Sequence, residues 1–253
     1  MKETDKRGKV IALGFFDGVH IGHGALLRQV GEVASQLGAV PAACTFDTHP
    51  ESLIRNSPTP LLTTPAVRAE LMRRYYGIQE VIIVHFDQRM MRMPWREFVT
   101  EFLVREHQAV HLVAGHDFHF GYKGEGSPER LVSLCQELGL GCDIIPKVER
   151  EHITVSSTYV RSLVAQGELE RAAAFLGHPH TLEVTAEPVP GGLTLGLSVQ
   201  ELRPAPGRYE GRLTVGTHTC PVDICVTDTI TCQTKETLTG TAFLELLRRN
   251  TGS

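Results

Sequence analysis

The feature that most constrains this chain is the alternation of short apolar runs with longer amphipathic stretches over its first two thirds. The apolar runs, which predict buried strands, are residues 10–13, 39–46, 80–86, 109–115 and 142–148. The amphipathic stretches, which predict helices, are residues 26–37, 64–76, 94–107, 127–139 and 156–167. Strands that alternate with helices of this length are typical of an α/β domain with a mainly parallel sheet, in which ligands bind beyond the carboxyl ends of the strands.

The character of the sequence changes after His180, where short alternating runs are rich in Gly, Pro, Thr and Val. This pattern predicts a small β-barrel-like unit. The stretch TAFLELLRR at 241–249 is expected to form a terminal helix. We place the domain boundary near residue 180, with an α/β domain over 1–180 and a β domain over 181–253.

The composition argues against several classes of function. The formal net charge of −4 does not suit nonspecific nucleic-acid binding, and the chain has no apolar run long enough to predict a membrane span. The polar start MKETDKRGKV does not fit a signal peptide, so we expect a cytoplasmic protein. The six cysteines form no C-x-x-C pair, which argues against a zinc ribbon or a thioredoxin-type redox site.

The stretch GFFDGVHIGH at 14–23 joins the first predicted strand to the first helix. A glycine-bearing turn before a helix points backbone N–H groups and the positive end of the helix dipole at its ligand, which suits phosphate. Gly14 and Gly18 leave room for close approach, and His20 and His23 can each donate a hydrogen bond to a phosphate oxygen. Such donors suit nucleotidyl transfer, because charge builds up on the α-phosphate and the departing pyrophosphate.

Zinc ligation is the main alternative for these histidines. HIGH has the H-x-x-H spacing, and HDFH, with His116 and His119, repeats it, so four histidines would be available for one ion. No Asp, Glu or Cys completes either pair at the usual spacing. A purely structural role of His20 and His23 in a glycine-flanked turn is the third interpretation.

A second candidate anion site is VSSTYVRSLV at 155–164. Ser157, Thr158 and the start of the helix would face phosphate, and Arg161 would neutralise its charge. The same residues also fit an ordinary N-cap followed by a surface arginine, and spacing alone favours that interpretation.

Two further polar stretches follow predicted strands: TFDTHP at 45–50 and GHDFHFGYKGEG at 115–126. Both come where an α/β sheet places its binding loops. A polar loop with a buried phenylalanine explains each of them equally well.

These stretches, followed by GELERAAAFLGHP, occur in the order found in the bacterial bifunctional riboflavin kinase/FAD synthetases. Residues 8–180 resemble the adenylyltransferase half of that family. The resemblance implies a Rossmann-like nucleotidyltransferase domain that transfers AMP from ATP to FMN, with Mg²⁺, to give FAD and pyrophosphate.

The resemblance also implies roles for individual residues. Those implied for catalysis are His20, His23, Ser157, Thr158 and Arg161. Those implied for ATP binding are Gly14, Phe15, Asp17, Gly18, His20, His23, Ser157 and Arg161. Those implied for FMN binding are Asp47, His49, Asp117 and Phe118. It implies no protein ligand to a metal.

The chain departs from the family at three positions of the first half, where Thr48 replaces proline, His119 replaces arginine and Gly24 replaces glutamine. The larger departure is in the second half, which lacks the G-x-P-T-A-N motif of the kinase and is short for a complete kinase. We therefore expect a degenerate kinase barrel without riboflavin phosphorylation, kept as a lid, a stabilising partner or an oligomer contact. Two alternatives are a nucleotidyltransferase for another phosphate-bearing acceptor and a non-catalytic flavin- or nucleotide-binding protein.

Overall fold

The computed structural model describes residues 7–48, 59–197, 200–234, 236 and 238–250. The chain divides into two compact units. The sheet unit comprises Met1–Phe16, Gly22–Ser57 and Ala69–Glu149. The barrel unit comprises Asp17–Ile21, Pro58–Arg68 and Arg150–Ser253. Residues 17–21 therefore belong to the same unit as the C-terminal strands, although they directly follow the first strand of the sheet.

The sheet unit is built on parallel strands in the order β3-β2-β1-β4-β5. The strands are β1 (Lys9–Leu13), β2 (Val40–Phe46), β3 (Glu80–Val84), β4 (Ala109–Gly115) and β5 (Gly141–Ile145). The helices between them in the chain are α1 (Ile21–Leu37), α2 (Pro65–Tyr76), α3 (Gln88–Met91), α4 (Trp95–Glu97), which continues as a π-helix over Phe98–Glu106, and α5 (Pro128–Leu138). The predicted parallel α/β architecture is confirmed, with β1 as its buried central strand.

Helix α5 shows why local signals predict these elements well. The Ser127 hydroxyl caps the helix by accepting the N–H of Arg130 at 3.3 Å, and Pro128 occupies the first position, where no N–H is needed. Gly139 ends the helix in the left-handed conformation at φ 68°. Both ends are therefore set by residues next to the helix in the sequence.

The barrel unit contains two helices and a closed antiparallel barrel. The pair β6 (Glu149–Arg150) and β7 (Ile153–Thr154) precedes helices α6 (Ser157–Gln166) and α7 (Leu169–Leu176). The barrel strands are β8 (His180–Val189), β9 (Gly192–Leu197), β10 (Gly207–Val215), β11 (His218–Val226), β12 (Ile230–Gln233) and β13 (Gly240–Arg249). Their order is β10-β11-β12-β9-β8-β13, and β13 closes the barrel by pairing with both β8 and β10. The predicted β-barrel is confirmed.

The helix predicted over 241–249 is wrong, because this stretch forms most of β13. Ala242, Leu244 and Leu246 are buried and alternate along the strand. A register shift opposite Glu210 and Gly211 leaves Leu247 as an extra residue, which breaks the strand period. The interrupted alternation imitates a helical pattern, and pairing with two neighbouring strands decides the outcome.

In the part of the chain that the structure describes, no helix combines the length and the apolar character needed to cross a membrane.

Candidate active site

The turn Asp17–Val19 lies between β1 and α1 and is strained. Phe16, Gly18 and Val19 have φ angles of 58°, 77° and 44°. This left-handed region is costly for a β-branched residue such as Val19, and such outliers cluster at ligand sites. At Gly18 a Cβ atom would lie 2.7 Å from Leu62 Cδ1, so both the backbone angle and the space require glycine.

The carboxylate of Asp17 anchors this turn from inside the barrel unit. Its side chain is 1% exposed and forms an ion pair with Arg161 Nη2 at 3.1 Å. The backbone N–H groups of Leu62 and Thr63 donate to Asp17 Oδ1 at 2.9 and 3.1 Å. A buried carboxylate is tolerated only with such compensation, so Asp17 is a structural anchor whose oxygens are already engaged.

Three further contacts hold the backbone of the turn. The Thr63 hydroxyl accepts the N–H of Gly18 at 2.9 Å and lies 3.3 Å from Asp17 Oδ1, to which it donates. The Ser157 hydroxyl donates to the carbonyl oxygen of Asp17 at 2.9 Å. His178 Nε2 lies 3.2 Å from the carbonyl oxygen of Gly18. The turn is thus fixed from both sides by other segments of the same unit.

His178 is a residue that our sequence assignment of the site missed, although it belongs to the quoted stretch LGHP. Its Nδ1 lies 2.8 Å from the carbonyl oxygen of Pro179 and its Nε2 faces Gly18. Carbonyl oxygens only accept, so a neutral imidazole can donate to one of the two. Burial lowers the pKa of His178, although hydrogen bonds to backbone carbonyls oppose this effect.

Thr63 is the second missed residue, and nothing in the sequence around it signals a contact with the turn. The sequence predicts a helix start at Thr64, and the Thr64 hydroxyl does accept the N–H of Val67 at 3.2 Å. Thr63, one residue earlier, is 1% exposed and joins Asp17 to Gly18. Only the folded chain brings it to the turn.

The two histidines of GFFDGVHIGH differ in their surroundings. His20 is 7% exposed and directly precedes α1. His23 is half-buried in the first turn of α1, and its ring stands edge-on to Phe16 with 5.1 Å between ring centroids. Both therefore lie at the start of α1, where backbone N–H groups and the helix dipole favour an anion.

Residues of SSTYVR contact the Asp17 turn. This contact helps to distinguish a second anion site from an ordinary N-cap followed by a surface arginine. The N-cap of α6 is Ser156, whose hydroxyl accepts the N–H of Tyr159 at 3.2 Å. Ser157 and Arg161 contact Asp17, and the Arg161 side chain is 18% exposed. Thr158 is exposed, with its hydroxyl 3.4 Å from Arg161 Nη1. Arg161 is therefore not an ordinary surface arginine.

Within the sheet unit, the Gly14–Phe16 segment is fixed to β2. The N–H of Gly14 donates to the carbonyl oxygen of Cys44 at 3.3 Å. The hydroxyl of Thr45 donates to the carbonyl oxygen of Phe15 at 2.7 Å. The Cβ position of Gly24 would meet the Tyr76 hydroxyl at 2.4 Å, so a larger side chain at this departure from the family pattern would need Tyr76 to move.

The candidate flavin residues follow β2 and β4, the two strands that flank β1. Asp47 Oδ2 lies 2.6 Å from His85 Nδ1, and Asp47 Oδ1 accepts the N–H of Phe86 at 3.1 Å. Burial raises the pKa of Asp47, but the hydrogen bonds from His85, Phe86 and Thr48 outweigh it, so the pKa lies below its usual value. His85 has its pKa raised by the same carboxylate, and the sequence analysis missed it.

The loop after β4 holds one exposed and one packed residue of the candidate set. The Asp117 side chain is 82% exposed. Phe118 stacks on Phe120 with 5.3 Å between centroids and packs against the core of the sheet unit. His119, a departure from the family pattern, is exposed. His49, the fourth candidate flavin residue, lies outside the described residues.

Among the described residues, the two H-x-x-H pairs do not take part in a three-ligand zinc site. Over the described ranges, the group of His, Cys, Asp and Glu side chains with three donor atoms close enough for one ion is His218, Cys220 and Glu236. His20, His23, His116 and His119 are not members of it.

Comparisons with known proteins place the chain in a family. The family model described as FAD synthetase matches residues 2–159. A bifunctional riboflavin kinase/FMN adenylyltransferase of Listeria monocytogenes is 35% identical over 200 residues, 77% of this chain and 62% of that protein. A FAD synthetase of the same organism is 30% identical over 207 residues, 81% of this chain and 82% of that protein.

A solved structure shares the fold across almost the whole chain. The crystal structure of a macrolide-efflux protein from Streptococcus pneumoniae is matched over 97% of this chain and 94% of that chain, with a TM-score of 0.80. At 24% sequence identity, the likeness establishes the fold alone.

The strand order and the anchored turn before α1 define the class of proteins that join a Rossmann-like α/β domain to a closed β-barrel. Within that class, the chain belongs to the FAD synthetase family. It spans less than two thirds of the length of the bifunctional Listeria relative and about four fifths of the length of the FAD synthetase.

Proposed function

We propose that this protein is an FMN adenylyltransferase, which converts ATP and FMN to FAD and pyrophosphate. The observation that carries the proposal is the strained, buried turn Asp17–Val19, fixed by Thr63 and Arg161 directly before His20 and α1. Because the chain belongs to the FAD synthetase family, the reaction proposed at this turn is the transfer of AMP from ATP to FMN. The cytoplasm, where ATP and FMN are available, is its proposed location, with no nucleic-acid partner.

In the proposed reaction, an oxygen of the FMN phosphate attacks the α-phosphorus of ATP. The bond from that phosphorus to the bridging oxygen breaks, and pyrophosphate leaves with the bonding electrons. His20 and His23 are proposed to donate hydrogen bonds to the phosphates as charge develops, which needs no covalent intermediate on the protein. Ser157, Thr158 and Arg161 form the proposed second phosphate site.

Mg²⁺ is proposed to enter with the phosphates of ATP as part of the substrate. The carboxylate of Asp17 is already engaged by backbone N–H groups and by Arg161, so it does not offer an open ligand. Magnesium is commonly held by nucleotide phosphates with few protein ligands, and such an ion would neutralise charge on the departing pyrophosphate.

The flavin is proposed to contact Asp47, His49, Asp117 and Phe118, on the loops after β2 and β4. Phe118 already stacks on Phe120, and an isoalloxazine ring system suits such aromatic contacts. Ligands of parallel α/β sheets bind beyond the carboxyl ends of the strands, which supports this assignment.

Residues 181–253 are proposed to form a barrel that no longer phosphorylates riboflavin and instead supports the Asp17 turn. The N–H of Leu61 donates to the carbonyl oxygen of Gln200, and the N–H of Leu202 donates to the carbonyl oxygen of Leu61, both at 2.7 Å. The Thr64 hydroxyl donates to Glu183 on β8 at 2.5 Å. These contacts hold the segment that in turn binds Asp17, so the stabilising-partner interpretation receives support from within one unit.

The test is to incubate purified protein with Mg·ATP and either FMN or riboflavin, and to separate the flavins by chromatography. We expect FAD from FMN and no FMN from riboflavin. If FMN gives no product, pantetheine phosphate and nicotinamide mononucleotide become the acceptors to try. Tight FAD retention without pyrophosphate release would instead identify a binding protein.

A further inference from the structure

A cluster of three metal-ligating side chains lies on the barrel and has no part in the proposed reaction. It consists of His218 and Cys220 on β11 and Glu236, which follows β12. One donor atom from each residue lies within 4.8 Å of the other two. His218 Nε2 and Glu236 Oε2 are 2.5 Å apart.

The topology of the barrel explains why these three residues meet. His218 and Cys220 are two residues apart on one strand, so their side chains point to the same face. Asp223 and Gln233 form the last pair of the antiparallel ladder of β11 and β12. Glu236 follows three residues beyond that pair, and its carboxylate reaches His218 at the start of β11. The N–H of Glu236 donates to the Thr234 hydroxyl at 3.1 Å, which fixes the bend after β12.

The three donors match the preferences of one class of ion. Zinc and the neighbouring divalent transition metals bind thiolate, imidazole and carboxylate together, whereas Mg²⁺ and Ca²⁺ take oxygen ligands. Three protein ligands with a fourth position open to solvent are a common zinc arrangement. In this cluster Cys220 is the buried ligand, at 5% exposed, whereas the side chains of His218 and Glu236 are 57% and 40% exposed and face solvent.

The rearrangement needed for binding is small. In a tetrahedral zinc site, nitrogen and oxygen ligands about 2.1 Å from the ion lie about 3.4 Å apart. His218 and Glu236 must therefore separate by about 1 Å from their present hydrogen bond, and their exposed side chains can do so without disturbing the strands.

We propose that His218, Cys220 and Glu236 form a binding site for a zinc-class divalent transition metal ion at the N-terminal end of β11. The ion displaces the proton of the Cys220 thiol and replaces the hydrogen bond between His218 and Glu236. Binding therefore weakens as the pH falls, because protons compete for the sulfur and the imidazole. The proposal is independent of the adenylyltransferase reaction.

The experiment is a Co²⁺ titration of the full chain, stripped with chelator, free of affinity tags and without nucleotide. Cobalt bound to a thiolate gives a charge-transfer band in the near ultraviolet and intense visible bands when tetrahedral. We expect both signals to saturate at one ion per chain and to disappear when Zn²⁺ is added. Absence of a thiolate band would overturn the proposal.

Matched variants assign the signal to the cluster. Cys220→Ser should abolish the thiolate band, whereas Cys225→Ser, on the opposite face of the same strand, should leave it unchanged. His218→Ala and Glu236→Gln alter exposed side chains, so they should fold normally and weaken binding by about tenfold or more. A band that survives Cys220→Ser, or that is lost in Cys225→Ser, would place the ion elsewhere and refute the assignment.

Discussion

The Asp17 turn and the loop after β2 each carry an aspartate beyond a sheet strand, but their carboxylates are held differently. The Asp17 side chain is 1% exposed and is bound by segments far away in the sequence, among them Arg161. The Asp47 side chain is 32% exposed and is bound by His85, which is itself 76% exposed. One carboxylate is part of a buried framework, whereas the other is part of a surface contact.

This contrast predicts where the chain tolerates change. A substitution at the buried turn leaves several polar groups without partners, so its effect reaches the whole framework. A substitution in the strand-end loops costs little stability and changes mainly what those loops can bind. Two of the three departures from the family pattern, Thr48 and His119, lie in these loops, as this view expects.

The largest effect is expected from replacing both histidines at the start of α1. His20→Ala with His23→Ala should lower FAD formation by about a thousandfold or more, because both proposed phosphate donors are lost. FAD is quantified by chromatography, and circular dichroism confirms that the variant is folded. A folded double variant with most of its activity would show that His20 and His23 are not the donors that hold the phosphates.

The next effect is expected from the ion pair beneath the turn. Asp17→Asn should lower the free energy of unfolding by about 2–4 kcal/mol, because it leaves the mostly buried Arg161 guanidinium without its counter-charge. Denaturant unfolding measures the loss. Arg161→Met in the same background should restore part of it, and strict additivity of the two substitutions would contradict the coupling.

A smaller effect is expected from the hydroxyl that joins Asp17 to Gly18. Thr63→Val should cost about 1–3 kcal/mol of stability, since the buried N–H of Gly18 loses its acceptor. If the turn positions the phosphates, kcat should fall more than KM for FMN rises. Thr63→Ser keeps the hydroxyl and is the matched control, so it should lose much less stability than Thr63→Val; an equal loss in the two variants would show that the hydrogen bond to Gly18 is not the source of the effect.

A milder loss of stability and activity is expected when the contact between barrel strand β8 and Thr64 is weakened. Glu183→Gln weakens the contact with Thr64 and should cost about 1 kcal/mol with a modest fall in kcat. Glu187→Gln, on an exposed part of the same strand, is the control. An unchanged kcat in a Glu183→Gln protein that is measurably less stable would limit the barrel to stabilising the fold.

The same contrast explains which features the sequence could predict. The bounds of strands and helices depend largely on neighbouring residues, so the sequence predicts most of them close to their observed positions; helix α5, expected over 127–139, forms at Pro128–Leu138. The partners of Asp17 depend on tertiary structure: Thr63 arrives from 46 residues away, and nothing near it signals the contact. His178 lies in the stretch GELERAAAFLGHP that resembles the family, yet only its packing reveals the contact with Gly18. The predicted terminal helix failed because the bulge at Leu247 hides the strand period.

The smallest effect concerns the exposed pair of Asp47 and His85, and its pH dependence has a definite sign. The pKa of Asp47 lies below its usual 3.8, so its contribution to stability is present above pH 3.8 and is lost as the pH falls through the lower folded value. The pKa of His85 lies above its usual 6.5, so its contribution is complete below pH 6.5 and is lost as the pH rises through the higher folded value.

The two limits define the window in which the pair is formed. Melting temperatures of the protein and of His85→Asn should therefore differ most between pH 3.8 and 6.5 and converge on either side. High salt should reduce the difference, because exposed ion pairs are screened. A difference that persists at high pH would mean that neutral His85 stabilises the loop by a hydrogen bond to Asp47. The loop would then be held by hydrogen bonds, as the Asp17 turn is, and not mainly by an ion pair.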